Sequence, residues 1–258
     1  MRLKIDVELD YATQGLRTAL LAIEAAELSD QRVVTSTFDV ADPVSMVRVP
    51  ADEGLGFRSW LQVRDRLAGL YSAEVEVERT IDKLADLGST PLHELPGEIV
   101  KFLMPSRYCH SDLYEDFVEA EFGTLTGGAL VAVMRDWIEE KLEYAPGASN
   151  ERTTATDTFV KRKGICRDYA HLLVTFARAA RIPARCVSVY APDVEPPDFH
   201  AVAEVYLEGG WRLVDATGMA APDTMARIGA GPDASDIPFL IIYGPSELKR
   251  QSVSVKRV

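Results

Sequence analysis

No apolar run in this sequence approaches the roughly eighteen residues that a membrane-spanning helix requires, so a chain that stays in water is expected. The first residues, Met1-Arg2-Leu3-Lys4-Ile5-Asp6, alternate charged and apolar side chains instead of building the apolar core of a secretory signal. They read as a strand, and a cytoplasmic setting is expected. Basic residues are scarce beside acidic ones: 28 Lys and Arg against 40 Asp and Glu leave a net charge of -12. That charge repels a phosphate backbone and argues against nucleic acid as a partner. Cysteine is nearly missing. Cys109, Cys166 and Cys186 are an odd number with no CxxC pair, which supports neither a disulfide framework nor a tetrathiolate zinc site and suits a reducing compartment. The histidines, His93, His110, His171 and His200, form no HExxH pattern, and no D-x-[DN]-x-[DN]-G calcium loop is present. No metal and no other cofactor is therefore expected. Repeats and low-complexity tracts are also missing, and no pattern sets an oligomeric state.

What is present is ordinary globular composition, 47% hydrophobic and 26% charged over 258 residues, enough for two modest domains. Residues 1–95 carry period-two alternation at Leu3 to Leu9, Arg32 to Val40, Ser45 to Val49, Ser59 to Val63 and Leu70 to Val77, with turn residues between them. Such strands predict an antiparallel, sandwich-like β domain. Gly15 to Glu27 is rich in Ala and Leu, which favour helix, yet reads here as a strand. A Pro-containing linker, Leu87 to Pro96, precedes a second domain over 96–258. Apolar residues three or four apart predict helices at Asp112 to Phe122, Gly128 to Leu142, Thr154 to Arg162 and Ile165 to Ala180. Alternation returns in Cys186 to Tyr190, His200 to Leu207, Trp211 to Asp215, Pro238 to Tyr243 and Ser252 to Val255. The fold class is α+β.

Cys166 follows Gly164 and opens a predicted helix, where unpaired backbone N–H groups and the helix dipole favour a thiolate, the attacking form of cysteine. A single cysteine is more often a small buried apolar residue, so position alone is weak. His200 begins one predicted strand and Asp215 ends the next, joined by Glu208-Gly209-Gly210, a hairpin-length loop. That hairpin brings His200 beside Asp215. The carboxylate then holds one imidazole nitrogen while the other faces the sulfur, as nucleophile, base and orienter require. The alternative is that both residues merely cap strand ends.

At these residues the sequence resembles the transglutaminase-like superfamily. Four blocks carry the resemblance in order: Lys163-Gly164-Ile165-Cys166-Arg167-Asp168-Tyr169-Ala170-His171-Leu172, Arg181-Ile182-Pro183-Ala184-Arg185, His200-Ala201-Val202-Ala203-Glu204-Val205-Tyr206, and Trp211-Arg212-Leu213-Val214-Asp215-Ala216-Thr217. Leu103-Met104-Pro105-Ser106-Arg107-Tyr108-Cys109 resembles a segment before the core in a bacterial subgroup with an N-terminal β domain. The resemblance implies a papain-like core with Cys166 as nucleophile, His200 as base and later acid, and Asp215 as its partner. It also makes Tyr144 a candidate oxyanion donor, where the plainer reading is a polar-tipped core aromatic, and places Tyr108 and Phe199 in the substrate cleft. Two positions depart from the family pattern: Val202 replaces a usual aromatic, and Ala216 replaces the proline of Asp-Pro-Thr.

Thiol-dependent cleavage of peptide, isopeptide or other amide bonds in a peptide or protein substrate is the expected activity. Transfer to an amine acceptor, as in a transglutaminase, and a non-catalytic peptide-binding protein are the alternatives. A redox sensor is a weaker reading, because no resolving cysteine is near Cys166 in sequence.

Overall fold

A computed structural model describes residues 1–258, apart from the side chain of Glu53. The first part of the chain forms β1 (Arg2–Leu21), β2 (Gln31–Val40), β3 (Ser45–Pro50) and β4 (Phe57–Val77). Then come α1 (Gly97–Val100), α2 (Glu115–Phe122), α3 (Gly127–Lys141), β5 (Glu143–Tyr144), α4 (Ala155–Lys161), β6 (Lys163–Gly164) and α5 (Cys166–Ala179). The remainder is strand: β7 (Ala184–Tyr190), β8 (His200–Leu207), β9 (Gly210–Val214), β10 (Ala226–Gly231), β11 (Leu240–Tyr243) and β12 (Ser246–Arg257).

Leu3, Ile5, Val7 and Leu9 are buried on one face of β1 while the residues between them face outward, which is the pleat that alternation predicts. Gly15 at φ 68° and Asp65 at φ 62° sit where the β1–β4 register slips, and the Gly15 amide donates to Asp65 Oδ1 at 2.7 Å. This bulge bends the ribbon without ending it. The Ala- and Leu-rich segment therefore stays extended as far as Leu21, because strands on both sides take its backbone groups and override helix propensity. Ser59 to Val63 and Leu70 to Val77 are two halves of the same strand, β4.

The antiparallel β layer is one six-stranded sheet in which β2 and β3 pair with β4, and β11 and β12 pair with β1. A division at residue 95 does not contain it. β4 covers one edge of β1, and the other edge is covered by strands from the far end of the chain, 240–243 and 246–257. Its apolar face packs against Tyr190, Ala226 and Ile228 of the second sheet. There the Tyr190 hydroxyl donates to the Ile23 carbonyl at 2.6 Å and stacks on Tyr71.

The second sheet has the order β10-β7-β8-β9 and is antiparallel throughout. α5 packs on it and is buried over nearly its whole length, with α3 and α4 against its outer side. Gly127 and Gly128 at the start of α3 lie against the linker: the Gly128 amide donates to the Leu87 carbonyl at 2.8 Å. A Cβ at position 128 would lie 1.6 Å from the Leu84 carbonyl oxygen. Gly128→Ala is expected to force backbone apart and cost about 1–3 kcal/mol, seen as a lower urea midpoint with an unchanged slope.

Candidate active site

The chain around Cys166 is set by a short parallel pairing. Arg162 closes α4 in the left-handed conformation at φ 56°, and its carbonyl accepts the Glu143 amide at 2.9 Å. The Gly164 carbonyl accepts the Ala145 amide at 2.9 Å, so Tyr144 lies opposite Gly164 and next to the start of α5. Position 164 has no room for a side chain: a Cβ would lie 2.7 Å from that of Asp168. The buried Asp168 carboxylate accepts the Ile165 amide at 2.9 Å and pairs with Arg167 at 3.1 Å, which fixes the first turn of α5. Cys166 is a free, half-buried thiol at the positive end of this fourteen-residue helix.

His200 and Asp215 come together through the β8–β9 hairpin. Its loop is Glu208-Gly209, both at positive φ, the two-residue turn that matches strand twist. Ala203 faces Val214 in the register, so Asp215 lies one residue beyond the last pair, diagonal to His200 on the same face. His200 Nε2 and Asp215 Oδ2 are 2.9 Å apart, and both side chains are almost wholly buried. Asp215 is itself fully occupied. Oδ1 accepts the Thr217 amide at 2.8 Å and hydroxyl at 2.7 Å, and Oδ2 also accepts the Ala220 amide at 3.0 Å.

With Nε2 engaged, the buried Nδ1 is the ring nitrogen left for Cys166. Burial, the largest influence, pulls the His200 pKa down. Hydrogen bonds to Asp215 and Cys166, and the charges of both, outweigh it and push the value up to about 10. Burial likewise raises Asp215, but the hydrogen bond and charge of His200 and the bonds from Thr217 hold it below the usual carboxylate range. The Tyr144 phenol lies beside Cys166 in the same cleft. Burial first, and then the Cys166 charge, push that phenol up to about 12, so it keeps its proton at neutral pH.

Cys166, His200 and Tyr144 line a cleft of about 760 Å³, together with Tyr108 and Phe199. All the residues singled out in the sequence except Asp215 open on it. Asp215 instead borders a second cavity of about 580 Å³ behind the hairpin, between α3 and the 79–87 segment. Tyr108 is fixed from several sides: its hydroxyl donates to the Glu151 carbonyl at 2.6 Å, its amide donates to Asp233 at 3.0 Å, and its ring stacks on His171. His171 is wholly buried, which with the nearby Arg167 charge brings its pKa down to about 4. Its neutral Nε2 accepts the Ala234 amide at 3.1 Å and so fastens another cleft segment to α5. Thr217, Asp168 and His171 are supports that sequence reasoning did not single out, although each stands in one of the four blocks.

The profile of the Transglutaminase-like superfamily matches residues 122–216, the stretch that contains Cys166, His200 and Asp215. A solved structure from Cytophaga hutchinsonii, named provisionally as a cysteine protease, is similar over 99% of this chain and 90% of its own, at 32% identity and a TM-score of 0.94. The chain belongs to the transglutaminase-like superfamily. An uncharacterised protein of Mycobacterium leprae is 30% identical over 125 residues, 45% of this chain and 44% of that protein. One of Mycobacterium tuberculosis (strain H37Rv) is 32% identical over 146 residues, 49% of this chain and 46% of that protein. The matched region thus spans less than half the length of these curated relatives.

Proposed function

We propose that the protein is a thiol-dependent acyl hydrolase that cleaves peptide or other amide bonds, with Cys166 as nucleophile, His200 as acid and base, and Asp215 orienting His200. The observation that carries this is the Asp215–His200 bond of 2.9 Å, which leaves the other imidazole nitrogen unengaged in the cleft of about 760 Å³ that His200 shares with Cys166. Starting from a thiolate–imidazolium pair, the sulfur attacks the amide carbonyl carbon and the carbonyl electrons move to oxygen. The tetrahedral species collapses, the C–N bond breaks, and the leaving amine takes the proton from His200 Nδ1. Water then gives a proton to Nδ1 and attacks the thioester. The acid product leaves and the ion pair is restored.

The Cys166 N–H and the Tyr144 hydroxyl are the candidate oxyanion donors. Tyr144→Phe is expected to lower kcat by about 10²-fold with little change in KM. Hydrolysis is favoured over transfer because it needs no second site for an amine. The three free cysteines suit a reducing, cytoplasmic setting, and the acidic charge suits a polypeptide substrate rather than nucleic acid.

Incubating the protein with a peptide library, with and without an added primary amine, and weighing the intact protein tests the reading. An acyl mass increment on Cys166 that decays to free acid supports hydrolysis, and capture by the amine supports transfer. No increment on Cys166 with any peptide, while the thiol remains alkylatable, contradicts both.

A further inference from the structure

One wall of the cleft that holds Cys166 is a strand edge. Ile237, Pro238, Phe239, Leu240 and Ile241 line it as consecutive residues. Successive side chains of a strand point to opposite faces, so a wall made from a sheet face would show every second residue. Leu240 and Ile241 are neighbours within β11 and both line the cleft, so it meets the edge of that strand, while Ile237 to Phe239 precede it as irregular chain.

That edge is open, because β11 ends its sheet and pairs with β1 alone. The Ala22 amide donates to the Phe239 carbonyl at 2.9 Å, and Ile241 faces Leu20. In an antiparallel pair alternate residues bond to the partner, so Phe239, Ile241 and Tyr243 turn their backbone groups to β1. Leu240 and Ile242 turn theirs outward. The Gly244 amide takes the Ile242 carbonyl at 3.1 Å, which leaves the Leu240 N–H and C=O and the Ile242 N–H to an incoming strand. The start of β8 is similar: His200 and Ala201 pair with β7, whereas β9 reaches no further than Ala203.

The side chains along this edge are apolar. Phe199 and Phe239 stack with centroids 4.3 Å apart, and at the last residue of β11 Tyr243 stacks on Trp60 with both rings exposed, 54% and 37%. An exposed edge of this kind is satisfied by a ligand with its own regular run of N–H and C=O groups. A single side-chain amide cannot supply one.

We propose that the cleft takes an extended polypeptide segment, which adds to the open edge of β11 as a further strand and places apolar side chains at alternate positions. The substrate is then an unfolded stretch of polypeptide rather than a small amide or a glutamine on a folded surface. This rests on the acyl-transfer reading for the carbonyl that Cys166 attacks, and it makes the sheet completed by the N-terminal strands one wall of the substrate site.

The test separates binding from chemistry. A Cys166→Ala protein is titrated with a capped, fluorescent peptide of alternating leucine and serine, and with versions N-methylated on either alternate set of amides. One methylated set is expected to bind about tenfold more weakly, the worth of one or two hydrogen bonds. Leu240→Pro removes the outward N–H and spares the inward bonds. It is expected to weaken the unmethylated peptide by a similar factor while iodoacetamide still labels Cys166 in the protein that retains it. Equal binding of all the peptides overturns the proposal, and does so even where Leu240→Pro fails to fold. Acylation of Cys166 that ignores N-methylation overturns it while leaving the enzyme reading intact. Edge-dependent binding without any acyl-enzyme supports it and defeats the enzyme reading instead.

Discussion

Asp215→Asn is expected to lower turnover by roughly 10³–10⁴-fold although it replaces neither the thiol nor the base. Both carboxylate oxygens accept hydrogen bonds: one from the Thr217 amide and hydroxyl, the other from His200 Nε2 and the Ala220 amide. An asparagine has only one accepting oxygen, so its NH₂ must face donors on one side or the other. With the NH₂ toward His200 the ring loses its acceptor and is misoriented, with it toward Thr217 the amide faces two donors, and in both cases the imidazolium loses its anionic partner. The pH profile carries the same information. His200 sits at about 10 against an ordinary 6.5, so activity that needs its protonated form falls as pH rises through about 10. In Asp215→Asn this alkaline limb moves to lower pH. The raised pKa also links to stability: the contribution is complete below 6.5 and is lost as pH climbs through about 10. Urea midpoints measured across that window should fall in the wild-type protein and fall less in His200→Ala.

The largest expected loss of stability lies four residues along the same strand. Glu204 is fully buried and accepts Arg185 at 2.7 and 2.8 Å and Arg227 at 3.0 Å. Arg185 also lies over the Trp211 ring at 4.1 Å, and Arg227 is shared with Asp30. Glu204→Ala leaves the buried Arg185 guanidinium without this carboxylate and Arg227 with Asp30 alone among the described acidic residues. A cost of about 3–5 kcal/mol is expected, against a smaller loss in Glu204→Gln, which keeps the volume and one acceptor. Urea denaturation of the three proteins at one pH reads the difference.

Much of the site is legible because its residues are chemically distinctive and stand at element ends. Cys166 opens a helix marked by an apolar stripe, and His200 and Asp215 flank a hairpin whose glycine-containing loop marks its own turn. Tyr144 is harder to place, since a two-residue parallel pairing with Gly164 carries it to the sulfur and no periodicity announces so short an element. Thr217 looks like any polar loop residue until its hydroxyl is seen on Asp215. In the fold, β10 escapes sequence reasoning because Gly229 stands at a register slip and Gly231 at its end, and glycine is a poor strand former. The return of β11 and β12 to β1 is hidden for a different reason. Only Val253 of β12 is buried, so its alternation is faint, and its partner lies more than two hundred residues away in sequence. Local pattern specifies that a segment is strand, but not which open edge it will fill.

The central claim is that His200, held by Asp215, activates the Cys166 sulfur. Its most direct test is the rate of Cys166 alkylation by iodoacetamide at neutral pH, followed by mass spectrometry, in wild-type and His200→Ala proteins. Labelling faster than a free cysteine thiol, slowed about tenfold or more by the substitution, is the predicted result. A wild-type rate no faster than free cysteine and unchanged in His200→Ala would contradict it.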